Sequence, residues 1–258
     1  MILHKTNSYK AFPSELWTAL KSKIDLAISS SRGPHYAAFD ADGTLWPLDA
    51  GESFFRYQIH EGIPHRPSGM VGDPWKHYTE MKKTDVAASC LLLAQINKGL
   101  SLSKVREKAL ACQKGISNFP IHESQRDLIA YLHQQGVEVF VVTASIKWAV
   151  EPFAALLGID FDHVLGIEVK EENGLLTDQG VYPLSLDSGK ATVLLNRTQG
   201  VRPLLAAGNT THDAHLIETA THVPLALSSA LPGEVNVATE SRLAGIAKDK
   251  KWFYHSFV

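Results

Sequence analysis

Apolar residues fall into two rhythms along the chain. Four short runs, at 36–40, 137–143, 202–207 and 223–227, are nearly continuous, rich in β-branched or aromatic residues and flanked by turn residues, which predicts buried strands. Between and around them apolar positions recur at helical spacing over 14–28, 123–135, 146–157, 189–197 and 214–220. Strands that alternate with helices pair in parallel through right-handed crossovers, so the fold class is α/β with a doubly wound, mostly parallel sheet.

One interval breaks the alternation. The first strand ends near Asp42 and the next begins at Val137, while 52–60, 74–97 and 101–114 read as helices. A crossover needs far less chain, so residues 49–121 are expected to form an inserted all-α cap, leaving 1–48 and 122–258 as the core. After the second strand, 164–169 and 175–182 flank EENG (171–174), which predicts a small β-hairpin with an Asn-Gly turn.

Composition narrows the function. With 258 residues, 45% of them hydrophobic, the chain can bury a sizeable core, and disorder is excluded as the leading reading. A formal net charge of -2 gives no long-range positive field, which argues against nucleic acid or an anionic membrane as partner. No 18 apolar residues run together and 1–20 hold no apolar stretch of signal-peptide length, so a soluble, cytoplasmic protein is expected. Cys90 and Cys112 have neither framework nor metal-ligand spacing. Gly189-Lys190 is no P-loop, because Leu184 stands where the motif needs Gly and Ala191 where it needs Ser or Thr.

In open α/β sheets ligands gather beyond the carboxyl ends of the strands, and polar segments sit at three such ends. The first delivers Asp40 and Asp42, two residues apart, followed by Gly43, where the chain can turn. Two carboxylates thrust together suit a bound cation or a shared proton, although a turn Asp beside an exposed Asp has the same spelling. The second end carries Thr143, with the amides of Ala144 and Ser145 expected at the start of a helix, where they could hold an anion. Lys190 opens a later helix, and Asn209 and Asp213 follow the third strand with metal-compatible oxygens.

In this order the segments resemble the haloacid dehalogenase-like superfamily of phosphohydrolases. FDADGTL (39–45) looks like its first motif, VVTAS (141–145) its second, Lys190 its third and GNTTHD (208–213) its fourth. The position of the insert resembles the small-cap subclass that includes phosphoserine phosphatase. LDAGESF (48–54), GVEVFVVTA (136–144) and RPLLAAGNT (202–210) are similar to the phosphorylcholine phosphatase branch. The resemblance implies Asp40 as nucleophile forming an aspartyl-phosphate, and Asp42 as general acid and base. It implies Mg²⁺ held by Asp40, the Asp42 carbonyl and Asn209, with Asp213 close behind. Thr143, Lys190, Gly43, Ala144 and Ser145 would surround the phosphoryl oxygens.

Position 209 is usually Asp in this family. A neutral Asn is expected to weaken Mg²⁺ binding, and Asn209→Asp to tighten it. Asp49 and Glu52 fall where small-cap relatives meet a substrate amine; Asp49 equally reads as a helix cap. Trp46, Trp75 and Tyr78 are candidates for an aromatic wall around an ammonium, or simply core. The implied activity is hydrolysis of a small phosphorylated metabolite of the phosphoserine, phosphocholine or phosphoethanolamine type. A phosphotransferase or a catalytically weak binding protein on the same scaffold is the alternative.

Overall fold

The computed structural model describes residues 9–116 and 119–258, so the reading of residues 1–8 lies outside it. The elements run α1 (Ser14–Ser30), β1 (Tyr36–Phe39), α2 (Ala50–Glu61), α3 (Pro74–Thr84), α4 (Val86–Gln95), α5 (Leu102–Gly115) and α6 (Glu123–Gln134). They continue with β2 (Glu138–Ile146), α7 (Lys147–Ala154), β3 (Val164–Ile167), β4 (Val169–Glu172), β5 (Leu175–Gly180) and α8 (Ser188–Arg197). Last come β6 (Leu205–Gly208), α9 (Ala214–Ile217), β7 (Val223–Ser228), α10 (Val237–Lys250) and β8 (Phe253–Ser256).

Six strands form one sheet in the order β3-β2-β1-β6-β7-β8, and β4 pairs with β5 apart from it. Phe39 stands beside Val141 on one side and Ala207 on the other, both in parallel register. The chain leaves β1 toward β2 and returns at β6 on the opposite flank, so the strand order reverses at β1 and its carboxyl end is the switch point where such sheets bind ligands.

The described chain falls into two compact units, Met1–Pro47 with Phe119–Val142 and Asp187–Val258, and Leu48–Asn118 with Thr143–Leu186. In the first, Leu20 and Ile24 of α1, Phe39 of β1, Leu128 and Leu132 of α6 and Leu205 of β6 are all buried. Each such side chain contributes about 1.5–3 kcal/mol relative to exposure. The second unit has its own core, including Phe54 and Phe55 of α2, Leu92 and Leu93 of α4, and Trp148 of α7.

The cap as read from sequence is all-α, whereas this unit also takes in β3, β4 and β5. Two sets of bonds explain why. Glu151 of α7 is fully buried and accepts both Nε and Nη2 of Arg106 on α5 at 2.7 Å. Leu176 of β5 exchanges backbone hydrogen bonds of 2.9 Å with Gly99 and Leu100 in the loop before α5.

Three expectations change in detail. The helix expected over 74–97 is two helices, because Asp85 leaves helical geometry (φ -147°) and caps α4 through its side chain, which accepts from Ala88 N. The run 164–169 is not one hairpin arm: β3 joins the main sheet, and the hairpin is β4 with β5 around Asn173-Gly174, whose φ values of 52° and 78° suit a tight turn. The second strand continues through Ile146, a β-branched residue buried in the second unit's core.

Candidate active site

The turn after β1 folds back within a few residues. Asp40 N donates to Ala207 O at 2.9 Å, Leu45 N to Ala41 O at 2.8 Å, and Gly43 N to Trp46 O at 2.7 Å. Gly43 has φ 84°, and a Cβ there would strike the Asn209 side chain, so this position tolerates no larger residue. Trp46 is fully buried and its Nε1 donates to Asp42 Oδ1 at 2.8 Å, which orients that carboxylate. Trp46 is therefore no part of an aromatic wall for a cation.

Beyond β5 the chain enters α8, which brings in Lys190, only 3% exposed. Its Nζ donates to Asp40 Oδ1 at 2.6 Å and to Asp213 Oδ1 at 2.5 Å. The second Asp213 oxygen accepts from Asn209 N, Thr210 N and Thr210 Oγ1 at 2.9–3.1 Å. Gly208, the last residue of β6, lets Asp213 come this close, since a Cβ would meet its Cβ and Cγ. Burial pushes the Asp40 carboxyl up to about 6, with repulsion from Asp213 adding to it and Lys190 opposing it. Burial also disfavours the charge on Lys190, but the attraction of Asp213 and Asp40 outweighs that and raises its pKa.

Thr44 sits between two acceptors. Its Oγ1 lies 3.1 Å from Asp40 Oδ2 and 3.2 Å from Asn209 Oδ1, and one hydroxyl proton can serve only one of them. The other face of the Asn209 amide is fixed as well: Nδ2 donates to Glu240 Oε1 at 2.8 Å. Glu240, buried on α10, accepts from Ser229 N and Ala230 N through Oε2 at 2.9 Å.

Two converging oxygens short of one proton, beside buried carboxylates, form a hard all-oxygen donor set, and such a set fits Mg²⁺. Among the described residues no three His, Cys, Asp or Glu side chains gather into a metal cluster, and the further oxygens at hand here are the Asn209 amide and the Asp42 carbonyl. Asp213 has both oxygens engaged by Lys190 and by the 209–210 segment, which suits it to positioning rather than to binding metal.

The remaining sequence candidates belong to the second unit. Thr143 Oγ1 accepts from Ser145 N at 3.0 Å, so that amide is engaged locally, and helix α7 starts only at Lys147. The expected helix N-terminus at Ala144 and Ser145 is thus corrected: both are still strand. Asp49 caps α2, its Oδ1 accepting from Glu52 N at 2.7 Å. Burial, then the Glu52 charge, pushes Asp49 up to about 6. Glu52 Oε1 accepts from Lys82 Nζ at 2.7 Å and from Tyr78 Oη at 3.0 Å. Tyr78 is buried, and Trp75 carries the Arg56 guanidinium 3.4 Å from its ring centroid. These two aromatic rings are therefore engaged within the unit, and the aromatic wall for an ammonium is not formed.

Sequence reading missed Thr44 and Glu240. Thr44 lies inside FDADGTL and its placement there was visible. Glu240 carries no motif; its only signal is a carboxylate on the inward face of a helix.

A family model described as haloacid dehalogenase-like hydrolase matches residues 37–218. The chain belongs to the haloacid dehalogenase-like hydrolase family. Its fold is similar to that of a Bordetella pertussis Tohama I protein of unknown function (16% identity, TM-score 0.67, covering 88% of this chain and 100% of that one). It is also similar to a functionally unknown protein of Anaerococcus prevotii DSM 20548 (14%, TM-score 0.64, 92% and 94%). A phosphoserine phosphohydrolase-like protein of Francisella tularensis shares the fold at 14% identity and TM-score 0.53, over 86% and 94%. No curated protein matches the chain significantly. No helix among the described residues is long and apolar enough to cross a membrane.

Proposed function

We propose that the chain is a Mg²⁺-dependent phosphomonoester hydrolase that works through an aspartyl-phosphate on Asp40. The observation that carries this reading is the buried network in which Lys190 bridges Asp40 and Asp213. A binding module needs no nucleophile gripped in this way, whereas a phosphoryl acceptor must be held in line and relieved of charge.

An Asp40 oxygen attacks phosphorus as the ester P–O bond breaks, and Asp42, held by Trp46, gives its proton to the departing alkoxide. Asp42, now a carboxylate, takes a proton from water as that water attacks phosphorus. The P–O bond to Asp40 breaks, inorganic phosphate leaves, and both aspartates return to their starting states. Lys190 neutralises charge at Asp40 throughout, and Asp213 holds Lys190. Asp40, Asn209 and the Asp42 carbonyl would hold Mg²⁺, which supplies Lewis-acid stabilisation of the phosphoryl charge. For Thr143 and Ala144 a role toward the phosphoryl oxygens rests on family likeness alone.

The substrate is a small phosphorylated metabolite of the phosphoserine, phosphocholine or phosphoethanolamine type. Glu52 already holds a cation in Lys82, so Asp49 is the candidate partner for an amine on the leaving group. The test is phosphate release from a panel of small phosphomonoesters with and without Mg²⁺, beside Asp40→Asn and with intact-mass detection of acid-quenched phosphoenzyme. Release that needs Mg²⁺, disappears in Asp40→Asn and leaves one phosphoryl group on the wild type is expected. Undiminished release by Asp40→Asn would remove the covalent mechanism.

A further inference from the structure

An Asn at position 209 is expected to cost metal affinity because it lacks a charge. The structure supplies that charge directly behind the amide. Glu240 sits on α10, 31 residues along the chain, with its carboxylate buried and all three of its hydrogen bonds aimed inward. Oε2 is held by the Ser229 and Ala230 amides, in the segment after β7, and Oε1 meets Asn209 Nδ2 at 2.8 Å. The same segment is tied to the loop after β1, because Ser229 Oγ donates to Gly43 O at 2.7 Å.

We infer that Asn209 and Glu240 act as one coupled pair in which Glu240 is a positioning residue: its buried carboxylate fixes the Asn209 amide so that Oδ1 faces the cation, and it carries the negative charge absent from position 209. The inference rests on the metal-dependent reading above and assigns a residue outside the motifs to it.

The chemistry of the pair is asymmetric. An amide can present either oxygen or nitrogen to the cation, and only an acceptor behind it selects the oxygen. In Glu240→Gln the new side chain keeps its oxygen on the two backbone donors and turns its NH₂ toward Asn209. Asn209 must then flip, and Nδ2 faces the cation. In Asn209→Asp the second carboxylate oxygen stands about where Nδ2 was, against Glu240 Oε1, and two buried carboxylates repel. Together the substitutions restore complementarity: the amide NH₂ introduced at position 240 donates to one oxygen of the carboxylate introduced at position 209 and leaves the other for the cation. The simple expectation that Asn209→Asp tightens Mg²⁺ is thereby reversed.

The test is a double-mutant cycle read by calorimetric Mg²⁺ titration of the folded proteins, with thermal unfolding of the same four proteins without Mg²⁺. Glu240→Gln should weaken Mg²⁺ binding about tenfold or more, as loss of a charge-assisted bond that sets a ligand's orientation. Asn209→Asp alone should bind no tighter than wild type, and the double variant should return to within about threefold of it. Should Glu240→Gln fail to fold, Glu240→Asp takes its place: it keeps the charge but withdraws it from Asn209, and the same weakening is expected. Tightening by Asn209→Asp to the same degree in both backgrounds, or unchanged affinity in Glu240→Gln, would overturn the pairing while leaving the phosphatase reading intact. Absence of Mg²⁺ binding to the wild type would overturn both.

Discussion

Each unit holds a cluster of carboxylates around a lysine, with an aromatic donor beside it, three carboxylates in the first and two in the second, arranged to opposite effect. In the first, Lys190 is 3% exposed and bridges both carboxylates, Asp40 and Asp213, while Trp46 holds Asp42. In the second, the Lys82 side chain is 40% exposed and its ion pair is with Glu52, Tyr78 donates to the same oxygen, and Asp49 directs Oδ1 to a helix cap. The same residue types therefore make a sequestered ion-pair network in one place and a helix anchor in the other. What separates them is burial of the cation and the number of carboxylates it must serve.

Removing the lysines should break the comparison most sharply. Lys190→Met leaves Asp40 and Asp213 buried without their counter-charge, and about 3–5 kcal/mol of stability should be lost at pH 8, because an uncompensated buried charge is costly. Turnover should fall by roughly 10²–10³, the scale of losing one preorganised electrostatic contact. Lys82→Met removes a solvent-screened pair, and about 0–1 kcal/mol is expected with turnover retained. Urea unfolding and phosphate release measure both. Equal losses at the two positions would mean that burial does not distinguish the clusters.

The first cluster was largely legible in the chain because its residues stand at strand ends, and β-rich runs followed by small polar residues mark those ends. Asp40 and Asp213 follow strand ends, Lys190 opens a later helix, and in the structure the three side chains meet. The second strand was read too short, since nothing local shows that Ile146 is drawn into the second unit's core. Glu240 was illegible for a related reason. Its partners Asn209, Ser229 and Ala230 lie on other segments, and its place on the apolar face of its own helix with Leu243 and Ala247 does not say what it meets. Likewise Asp85 divides one apolar pattern into α3 and α4 through a cap that the periodicity does not register. Local patterns report elements; pairings between distant buried polar groups leave no pattern.

The aromatic donors offer a finer distinction. Trp46→Phe deletes the indole N–H on Asp42 but keeps a ring in the core. Asp42, the proposed general acid, then loses the bond that orients its carboxyl group, and kcat should fall about tenfold with KM little changed. Tyr78→Phe deletes the hydroxyl on Glu52. It should lower stability by about 1 kcal/mol or less and leave kcat alone. Steady-state kinetics beside thermal unfolding separates the two, and a matching loss of kcat in Tyr78→Phe would move Glu52 from anchor to active site.

A last distinction lies in the two aspartates, both pushed up to about 6 by burial. For Asp40 the strained charge belongs to the proposed nucleophile. For Asp49 it belongs to a helix cap, and its sign can be worked out. An unfolded Asp titrates near 3.9, so between about pH 4 and pH 6 the folded protein keeps a proton that the unfolded chain has released. Stability therefore falls as pH rises through that window and stays lower above it. Asn caps a helix as well as Asp does and carries no charge. Asp49→Asn should accordingly be indistinguishable from wild type near pH 4 and about 1–2 kcal/mol more stable at pH 8, allowing for partial exposure of the group. Denaturant midpoints at the two pH values test this. A gain in stability with kcat/KM unchanged keeps Asp49 with the helix anchor. A fall in kcat/KM confined to amine-bearing phosphoesters would instead assign its charge to the substrate, because an anchor has no means of telling one leaving group from another.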